Sequence, residues 1–437
     1  MTSVNRFARA VAWMAILGLI FVPTACDTLN SPLEVEPASR IPAEPFRSPV
    51  NAIALSDGGI ADFECAFGSY TVESGLIGEE LAYAQQTASR APYDRRNTTK
   101  DDSDYAVNAC DSNLGVYTPL QVARQSNETL LALLKTWTDA EVAVGATPPN
   151  RTNLIGIAAA YAGYSYLLLG EGFCTMAISS VNFDNTLNYG GEIQRDSVFR
   201  LAEARFSEAI AAATTANNTS IRNMAYVGRA RARLDRGDYP GAKADAQQVP
   251  AGYLRVVTTS DANTRRRNRV FIENSANNRN QSVGAPYRTM GDARVPVVGP
   301  AGSASATGVP HFYQTKYPTT ATPLPLATYE EAQLIIAEAD IRAGSLATAL
   351  PIISASRARG GQAPFVGTTQ AEYLAELIDQ RRRELFLESH HVGDVLRFGI
   401  ALQPAAGAPY HFGGVYGNQI CLPLPAAERL NNPLIGS

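Results

Sequence analysis

The sequence predicts a mainly α-helical fold in which paired helices stack into a curved superhelix. Apolar residues make up 45% of the 437 residues and charged residues 18%, so the chain can bury a substantial core and is not typical of a coiled coil or a disordered protein. Apolar side chains recur at spacings of three and four over most of the chain, as in amphipathic helices. The alternative is an irregular helical bundle.

The predicted helices follow one another in pairs. In the segment Ser197–Thr214, for example, Val198, Ala202, Phe206 and Ile210 fall on one helical face. Glycines follow several predicted helix ends, where a left-handed cap residue is expected. The full set of predicted helices is Leu120–Thr136, Asn153–Gly170, Ser197–Thr214, Ser220–Arg236, Gly241–Gln248, Thr328–Ala343, Leu346–Arg357 and Gln370–Glu388.

The helix pairs carry a repeated pattern of small and large residues. Leu234, Gly237 and Tyr239, followed by Ala242 and Ala246, resemble the pattern of tetratricopeptide helices. Small residues let neighbouring helices approach, and large ones fill the gaps between them. The pattern therefore predicts a tetratricopeptide-like superhelix with a concave face.

Two long segments, residues 249–327 and 400–437, interrupt the helical pattern. Both are rich in glycine, proline, serine, threonine and asparagine. Because segments of this length are seldom structureless inside a compact chain, we expect ordered excursions that decorate one helical domain, residues 51–437. The short strands predicted in the first excursion are Leu254–Thr258, Val270–Glu273 and Val295–Val298.

The N-terminus is typical of an exported protein. Arg6 and Arg9 precede the apolar run Val11–Val22, which is too short to span a bilayer, since that takes roughly 20 residues, and fits a signal peptide. The small residues before Cys26 resemble a bacterial lipobox, which predicts removal of residues 1–25 and a lipid on the Cys26 thiol. Residues 26–50 are predicted to form an extended tether. The alternative is simple secretion.

Charge and hydropathy exclude two classes of protein. Removing the two arginines of the predicted signal peptide lowers the net charge from −4 to −6, and the isoelectric point is about 5.7. A chain this acidic is a poor candidate for general nucleic-acid binding. Its mean hydropathy of −0.11 argues against a polytopic membrane protein.

Four cysteines remain after Cys26, and an even number in an exported chain permits two disulfides. No C-x-x-C occurs, which disfavours a zinc site or a redox pair. Three connectivities are open. The favoured one, mainly because its first pair is close in sequence, joins Cys65 to Cys110 and Cys174 to Cys421.

Catalysis is poorly supported by the sequence. The chain has four histidines, no G-x-S-x-G and no glycine-rich phosphate loop, and no cofactor is expected. Paired carboxylates for glycoside hydrolysis stay open, because only their separation in space identifies them. The basic run Arg265–Arg267 with Arg269 predicts a surface or partner face, and the alternative is an anionic-ligand site.

A motif near the C-terminus resembles a known family. Residues Gln380–Gly399 read QRRRELFLESHHVGDVLRFG and are similar to the R-R-R-E-L-x-x-E-G-H-R-x-x-D-L-x-R-x-G stretch of the SusD/RagB family, the outer-membrane nutrient-binding lipoproteins of starch-utilisation type. Other pieces resemble the family in its own order, so the resemblance spans nearly the whole chain. They are Asn127 with Leu130, Asp292-Ala293-Arg294, Lys316-Tyr317-Pro318, Tyr329–Gly344 and Ile420–Pro433.

The residues of this motif also predict ion pairs. Arg381–Arg383 precede Glu384, and Glu388 lies four residues later on the same predicted helix face. We expect these charges to tie the helix to its neighbours, with Asp394 capping the following turn. The histidines are adjacent, so they point in different directions, and no H-E-x-x-H occurs; no metal is therefore expected. The alternative is a metal site formed by Glu388, His390, His391 and Asp394.

The resemblance implies a non-catalytic lipoprotein of the outer membrane that faces the exterior. It implies binding of a nutrient, most often an oligosaccharide, and its delivery to a SusC-like TonB-dependent transporter. We expect the two excursions to form the ligand surface and the helical stack to face the transporter. Aromatic faces bind the C–H surfaces of sugars. The ligand-binding candidates are the loop aromatics Tyr287, Tyr313, Tyr317, Tyr410 and Phe412.

Two other functions remain open at this point. The first is a helical-repeat lipoprotein that binds only proteins. The second is a glycan hydrolase.

Overall fold

The structure is a computed structural model that describes residues 46–436, apart from residues 86–89, 103, 112–114, 146–147, 185 and 306–307. Residues 49–437 form one compact unit. The predicted signal peptide, Cys26 and most of the predicted tether lie outside the described residues. The domain boundaries stay a prediction.

Helices dominate the described part of the chain. They are α1 (Ala52–Ile77), α2 (Ala91–Arg95), α3 (Tyr117–Thr136), α4 (Asp139–Val142), α5 (Arg151–Gly172), α6 (Arg195–Thr215), α7 (Thr219–Asp235), α8 (Tyr239–Ala246), α9 (Arg269–Glu273), α10 (Tyr329–Arg342), α11 (Leu346–Arg359), α12 (Gln370–Glu384), α13 (His391–Phe398) and α14 (Ala426–Asn431).

Consecutive long helices pack side by side and form the predicted superhelix of pairs. Each helix packs against the next: α1 against α3, α3 against α5, α5 against α6, α6 against α7, and α7 against α8. Helix α8 then packs against α10, which also packs against α11 and α12. Phe206 of α6 shows how small and large residues interlock. Its ring lies against Gly163 of α5 and Gly228 of α7, and a Cβ atom at Gly163 would come within 2.7 Å of that ring. The mainly α-helical, tetratricopeptide-like fold is confirmed.

Helix α1 was not predicted from the sequence. It contains Gly58 and Gly59, and every residue from Phe63 to Ile77 is buried, so it has no polar face and no helical period. Gly59 has a packing role, because a Cβ atom there would come within 2.7 Å of the Asn127 side chain of α3.

Two predicted elements differ from the structure. Helix α12 ends at Glu384 rather than Glu388, because residues 385–389 form a turn in which Leu387 and Ser389 have positive φ. Glu384 and Glu388 therefore do not share a helix face. The predicted strand Val270–Glu273 is wrong: it lies in helix α9, whose N-cap Asn268 side chain accepts from Phe271 N.

The excursions carry short antiparallel strands. The described strands are β1 (Leu81–Tyr83), β2 (Thr175–Ala177), β3 (Ser180–Val181), β4 (Leu187–Asn188), β5 (Glu192–Gln194), β6 (Leu254–Val257), β7 (Gln281–Val283), β8 (Val297–Val298), β9 (Ser303–Ala304), β10 (Val309–Pro310), β11 (Tyr313–Gln314) and β12 (Leu324–Thr328). The pairs are β1–β7, β2–β5, β3–β4, β6–β12, β8–β11 and β9–β10. In β1–β7, Leu81 faces Val283, so the first excursion is joined to the segment that follows α1.

Helix α5 lies at the centre of the core. By length and composition alone it is the one described helix long and apolar enough to cross a membrane. However, 83% of its apolar 18-residue stretch is buried inside the protein. Its C-terminal end is joined to the second excursion by the disulfide Cys174–Cys421, with Cα atoms 5.2 Å apart. A second disulfide, Cys65–Cys110, joins α1 to the loop before α3. This is the connectivity favoured from the sequence.

Candidate functional site

A cavity of about 350 Å³ opens where the two excursions meet the segment between α1 and α2. We call it the interloop cavity. It is lined by Glu79, Leu81, Ala82, Asp94, Gly284, Ala285, Arg288, Gly308, Val309, Pro310, Gln403, Pro404, His411 and Tyr416. It therefore draws on three stretches of chain that are far apart in sequence.

The wall from the second excursion is a tight loop, residues 407–417. Gly407 N donates to the Tyr416 carbonyl at 2.8 Å, and Tyr410 N donates to the Gly414 carbonyl at 3.0 Å. Gly414 has φ of 76°, a left-handed conformation that favours glycine. Gly417 N donates to the Arg95 carbonyl at 2.7 Å, which fixes the loop to the end of α2.

Both carboxylates in the cavity wall are held by other protein groups. Asp94 accepts hydrogen bonds from Tyr83 N at 2.9 Å and from the Tyr410 hydroxyl at 3.2 Å. Burial nevertheless raises the pKa of Asp94 to about 7. Glu79 accepts from Gln403 N and lies 3.5 Å from the Arg382 guanidinium, and burial raises its pKa as well.

The cationic side of the cavity is Arg288. Its Nε donates to the Val283 carbonyl at 2.8 Å, and its guanidinium carbon lies 4.6 Å from the centroid of the Phe312 ring. Burial lowers the pKa of Arg288. His411 Nε2 donates to the Tyr83 carbonyl at 2.7 Å, and burial lowers the pKa of its imidazole.

The rings of the second excursion form a cluster around this cavity. Tyr416 packs edge-on against Tyr410 at 5.0 Å between centroids, and the Arg96 guanidinium carbon lies 4.9 Å from the Tyr416 centroid. His411 packs against Phe412 at 4.2 Å. The cavity thus combines ring edges with charged and amide groups, the mixture found in small-molecule sites.

The structure corrects the list of aromatic ligand candidates. Tyr287, Tyr317 and Tyr410 are only 0%, 2% and 4% exposed, so they offer no open ring face to a ligand. Tyr287 stacks on Phe386 at 5.0 Å, and the Tyr317 hydroxyl donates to the Leu387 carbonyl at 3.1 Å. These three rings are core residues that hold their loops down.

The other two candidates are partly buried and do not line the interloop cavity. Tyr313 stacks on the buried His311 at 5.6 Å between centroids. Phe412 packs edge-on against Tyr83 at 6.3 Å. The sequence missed Glu79 and Asp94, which come from the segment where the helical pattern and the family resemblance are weakest.

The C-terminal motif forms ion pairs in the described structure. Lys316 Nζ lies 2.6 Å from Glu388 Oε1 and also donates to the Phe386 carbonyl. His390 is buried beside Arg231, and burial holds its pKa well below the ordinary value. No cluster of three or more histidine, cysteine, aspartate or glutamate residues within the described ranges could hold a metal ion.

Three arginines of the basic run form ion pairs within the protein. Arg265 lies 3.0 Å from Asp62, and Arg266 lies 3.3 Å from Glu64. Arg269 lies 3.4 Å from Glu273. The first two pairs fix the first excursion to α1, and the third lies within α9.

A second, larger cavity of about 750 Å³ lies in the helical stack between α8, α10 and α12. We call it the helical groove. Its polar groups already have protein partners: Lys243 pairs with Asp340, and the Gln370 amide donates to the Ile341 carbonyl at 2.6 Å. The interloop cavity is therefore the better candidate for a polar ligand.

Comparisons with known proteins agree with the fold. Residues 306–423 match the model of the SusD family. No curated protein sequence matches the chain significantly.

Solved structures resemble nearly the whole chain at low sequence identity. A SusD superfamily protein from Bacteroides vulgatus is 16% identical, with 89% of this chain and 98% of that chain covered and a TM-score of 0.67. One from Bacteroides fragilis is 15% identical, covering 89% and 99%, with a TM-score of 0.66. A SusD-like carbohydrate binding protein from B. vulgatus is 13% identical, covering 89% and 97%, with a TM-score of 0.65.

Proposed function

We propose that this chain, which has the SusD fold and SusD-family sequence over residues 306–423, is a nutrient-binding lipoprotein of the outer membrane. It binds an oligosaccharide in the interloop cavity and delivers it to a SusC-like TonB-dependent transporter. The observation that carries the proposal is the position of the cavity, which the two excursions and the stretch after α1 build together beside the helical stack.

The cavity suits a short glycan. Its volume of about 350 Å³ falls in the lower part of the range of small-molecule sites, roughly 300–1,000 Å³, so it fits a few sugar units. Val309, Pro310 and Pro404 offer apolar surface to the C–H side of a sugar. Arg288 and His411 offer polar groups to its hydroxyls.

The anchor and the partner are supported by the sequence and the fold. The lipobox-like Cys26 with its proline-rich tether suits attachment to a membrane through lipid. The helical stack supplies the broad, rigid face that a lasting contact with a transporter needs. The anchored domain would lie over the transporter barrel as a lid.

Binding by the purified domain tests the proposed function. Calorimetry of residues 27–437 with a panel of oligosaccharides and peptides should show saturable binding of at least one glycan without turnover. Binding of peptides alone would favour a protein-binding helical repeat, for which the helical groove is the specific observation. Turnover of a glycan would favour a hydrolase.

Cell fractionation tests the anchor separately. Cys26→Ala should release the protein from membranes, because lipid is its attachment, and leave the fold intact. Outer-membrane association of this variant in cells that lack the transporter would contradict lipid anchoring.

A further inference from the structure

Arg288 has spare hydrogen-bonding capacity at the cavity wall. A guanidinium has five N–H donors. The Nε–H of Arg288 donates to the Val283 carbonyl, and the guanidinium lies over the Phe312 ring. Among the described residues, no carboxylate forms an ion pair with it, and its terminal nitrogens have no hydrogen-bond acceptor.

The carboxylates of the same cavity are committed elsewhere. Asp94 is held by Tyr83 N and the Tyr410 hydroxyl, and Glu79 by Gln403 N and Arg382. The pKa of Arg288 is lowered by burial, and among the described residues the Tyr416 hydroxyl opposes this shift. Arg288 in turn contributes to lowering the pKa of His411. Among the described residues, Arg288 therefore has no carboxylate partner that compensates its charge at the cavity wall.

A partly buried charge without a counter-charge is costly, and a ligand that supplies the counter-charge removes this cost. Arginine is suited to the task because its planar fork of donors matches a carboxylate through two parallel hydrogen bonds. The Phe312 ring and the Val283 carbonyl fix the plane of the Arg288 fork in advance.

We propose that the terminal nitrogens of Arg288 bind a carboxylate of the ligand, so that the interloop cavity selects acidic oligosaccharides, those that contain uronic acids. This inference rests on the proposed function and specifies its ligand class. Arg265 and Arg266 of the basic run do not supply such a site, because Asp62 and Glu64 already pair with them.

Calorimetry with matched pairs of glycans tests the proposal. The probes are short oligomers of galacturonate, glucuronate and mannuronate, each beside its methyl ester, which keeps the sugar ring and removes the charge. The wild type should bind at least one acidic oligomer roughly tenfold or more tightly than its ester, as expected for hydrogen bonds to a charged group.

Variants assign the effect to Arg288. Arg288→Gln should abolish the preference for the acid over the ester, and Arg288→Lys should restore only part of it. The exposed Arg200 of α6 is the control for net charge, and Arg200→Gln should keep the full preference. Thermal melting of each variant verifies that it is folded.

Failure of this inference is distinct from failure of the proposed function. Equal binding of acid and ester, or a preference that survives in folded Arg288→Gln, overturns the role of Arg288 while glycan binding stands. Binding of no glycan, acidic or neutral, overturns the proposed function as well. Binding only of a peptide with a free C-terminal carboxylate, and not of its amide, overturns the assignment to a glycan.

Discussion

Arg381 and Asp394 form a buried ion pair that joins α12 to α13. The Nε atom of Arg381 lies 3.0 and 2.9 Å from the two carboxylate oxygens of Asp394. Arg397 reaches the same carboxylate at 2.8 Å and also pairs with Glu338 of α10. These positions of the C-terminal motif therefore tie the last helices of the stack together, and Asp394 is an ion-pair partner rather than the cap of a turn.

Asp394→Ala should destabilise the domain without abolishing ligand binding. Removing one partner of a buried pair leaves Arg381 uncompensated, at a cost of about 3–5 kcal/mol. Arg200→Ala, which removes an exposed partner of Asp196, should cost less than about 1 kcal/mol. Denaturant unfolding measures both. An unchanged unfolding free energy with lost ligand binding would show that the motif serves the site instead.

The pair of Lys316 and Glu388 should behave as a coupled unit. Glu388→Ala alone leaves the mostly buried Lys316 unpaired and should cost about 3 kcal/mol or more. The double variant Lys316→Ala/Glu388→Ala should cost less than the sum of the two single variants by about 1 kcal/mol or more. Strictly additive costs in a double-mutant cycle would mean that the two charges do not interact in solution.

The two disulfides should differ in their contribution to stability. Cys174–Cys421 closes a sequence separation of 247 residues and Cys65–Cys110 one of 45. Loop-closure entropy predicts that removing the longer one by paired Cys→Ala substitution costs about 1–2 kcal/mol more. Equal or reversed losses in denaturant unfolding would mean that strain or residual structure in the unfolded chain outweighs this entropy.

Asp94 should make the domain lose stability as the pH rises toward neutrality. Its pKa of about 7 in the folded state lies above the ordinary value near 3.8. At pH values between the two, the folded protein keeps a proton on Asp94 that the unfolded chain has lost. This stabilising contribution is fully present below the unfolded pKa and is lost as the pH rises through about 7.

The Asp94→Asn variant has no ionisable group at this position and should therefore lack this pH dependence. Between pH 5 and 7, the unfolding free energy of the wild type should fall more steeply than that of the variant, by up to about 1.4 kcal/mol per pH unit. The control is the exposed Asp184, whose pKa is lowered by hydrogen bonds from Thr186. Asp184→Asn should leave the slope unchanged, because that carboxylate is ionised across this range in both states. Unfolding curves at several pH values that show the same slope for Asp94→Asn and wild type would contradict the assignment.

Helical periodicity predicted the stack because most of its helices have one apolar face. It did not predict α1, whose residues Phe63–Ile77 are buried on all sides and which contains Gly58 and Gly59. Helix α5 is as fully buried, but its richness in alanine and leucine still indicates a helix. The end of α12 was missed for a different reason. The apolar pattern continues through Leu385, Phe386 and Leu387, although positive φ at Leu387 breaks the helix.

The site could be predicted only in part. Two of the three stretches that build it, the excursions, were identified, because glycine- and proline-rich stretches rarely stay unstructured at that length. The third stretch, which carries Glu79 and Asp94, was missed. The burial of individual rings was not predictable, because it depends on distant partners. Tyr410 is held by Asp94, 316 residues away, and Tyr317 by the Leu387 carbonyl, 70 residues away.

We expect a glycan to bind in the interloop cavity and not in the helical groove. Ala285 and Ala371 are matched probes, since both are exposed and each lines one of the two cavities. A tryptophan at either position fills space without removing a buried side chain. The measurement is calorimetry of Ala285→Trp and Ala371→Trp with any glycan that the wild type binds. Binding should be lost in Ala285→Trp and keep wild-type affinity in Ala371→Trp, and the reverse result would contradict binding in the interloop cavity.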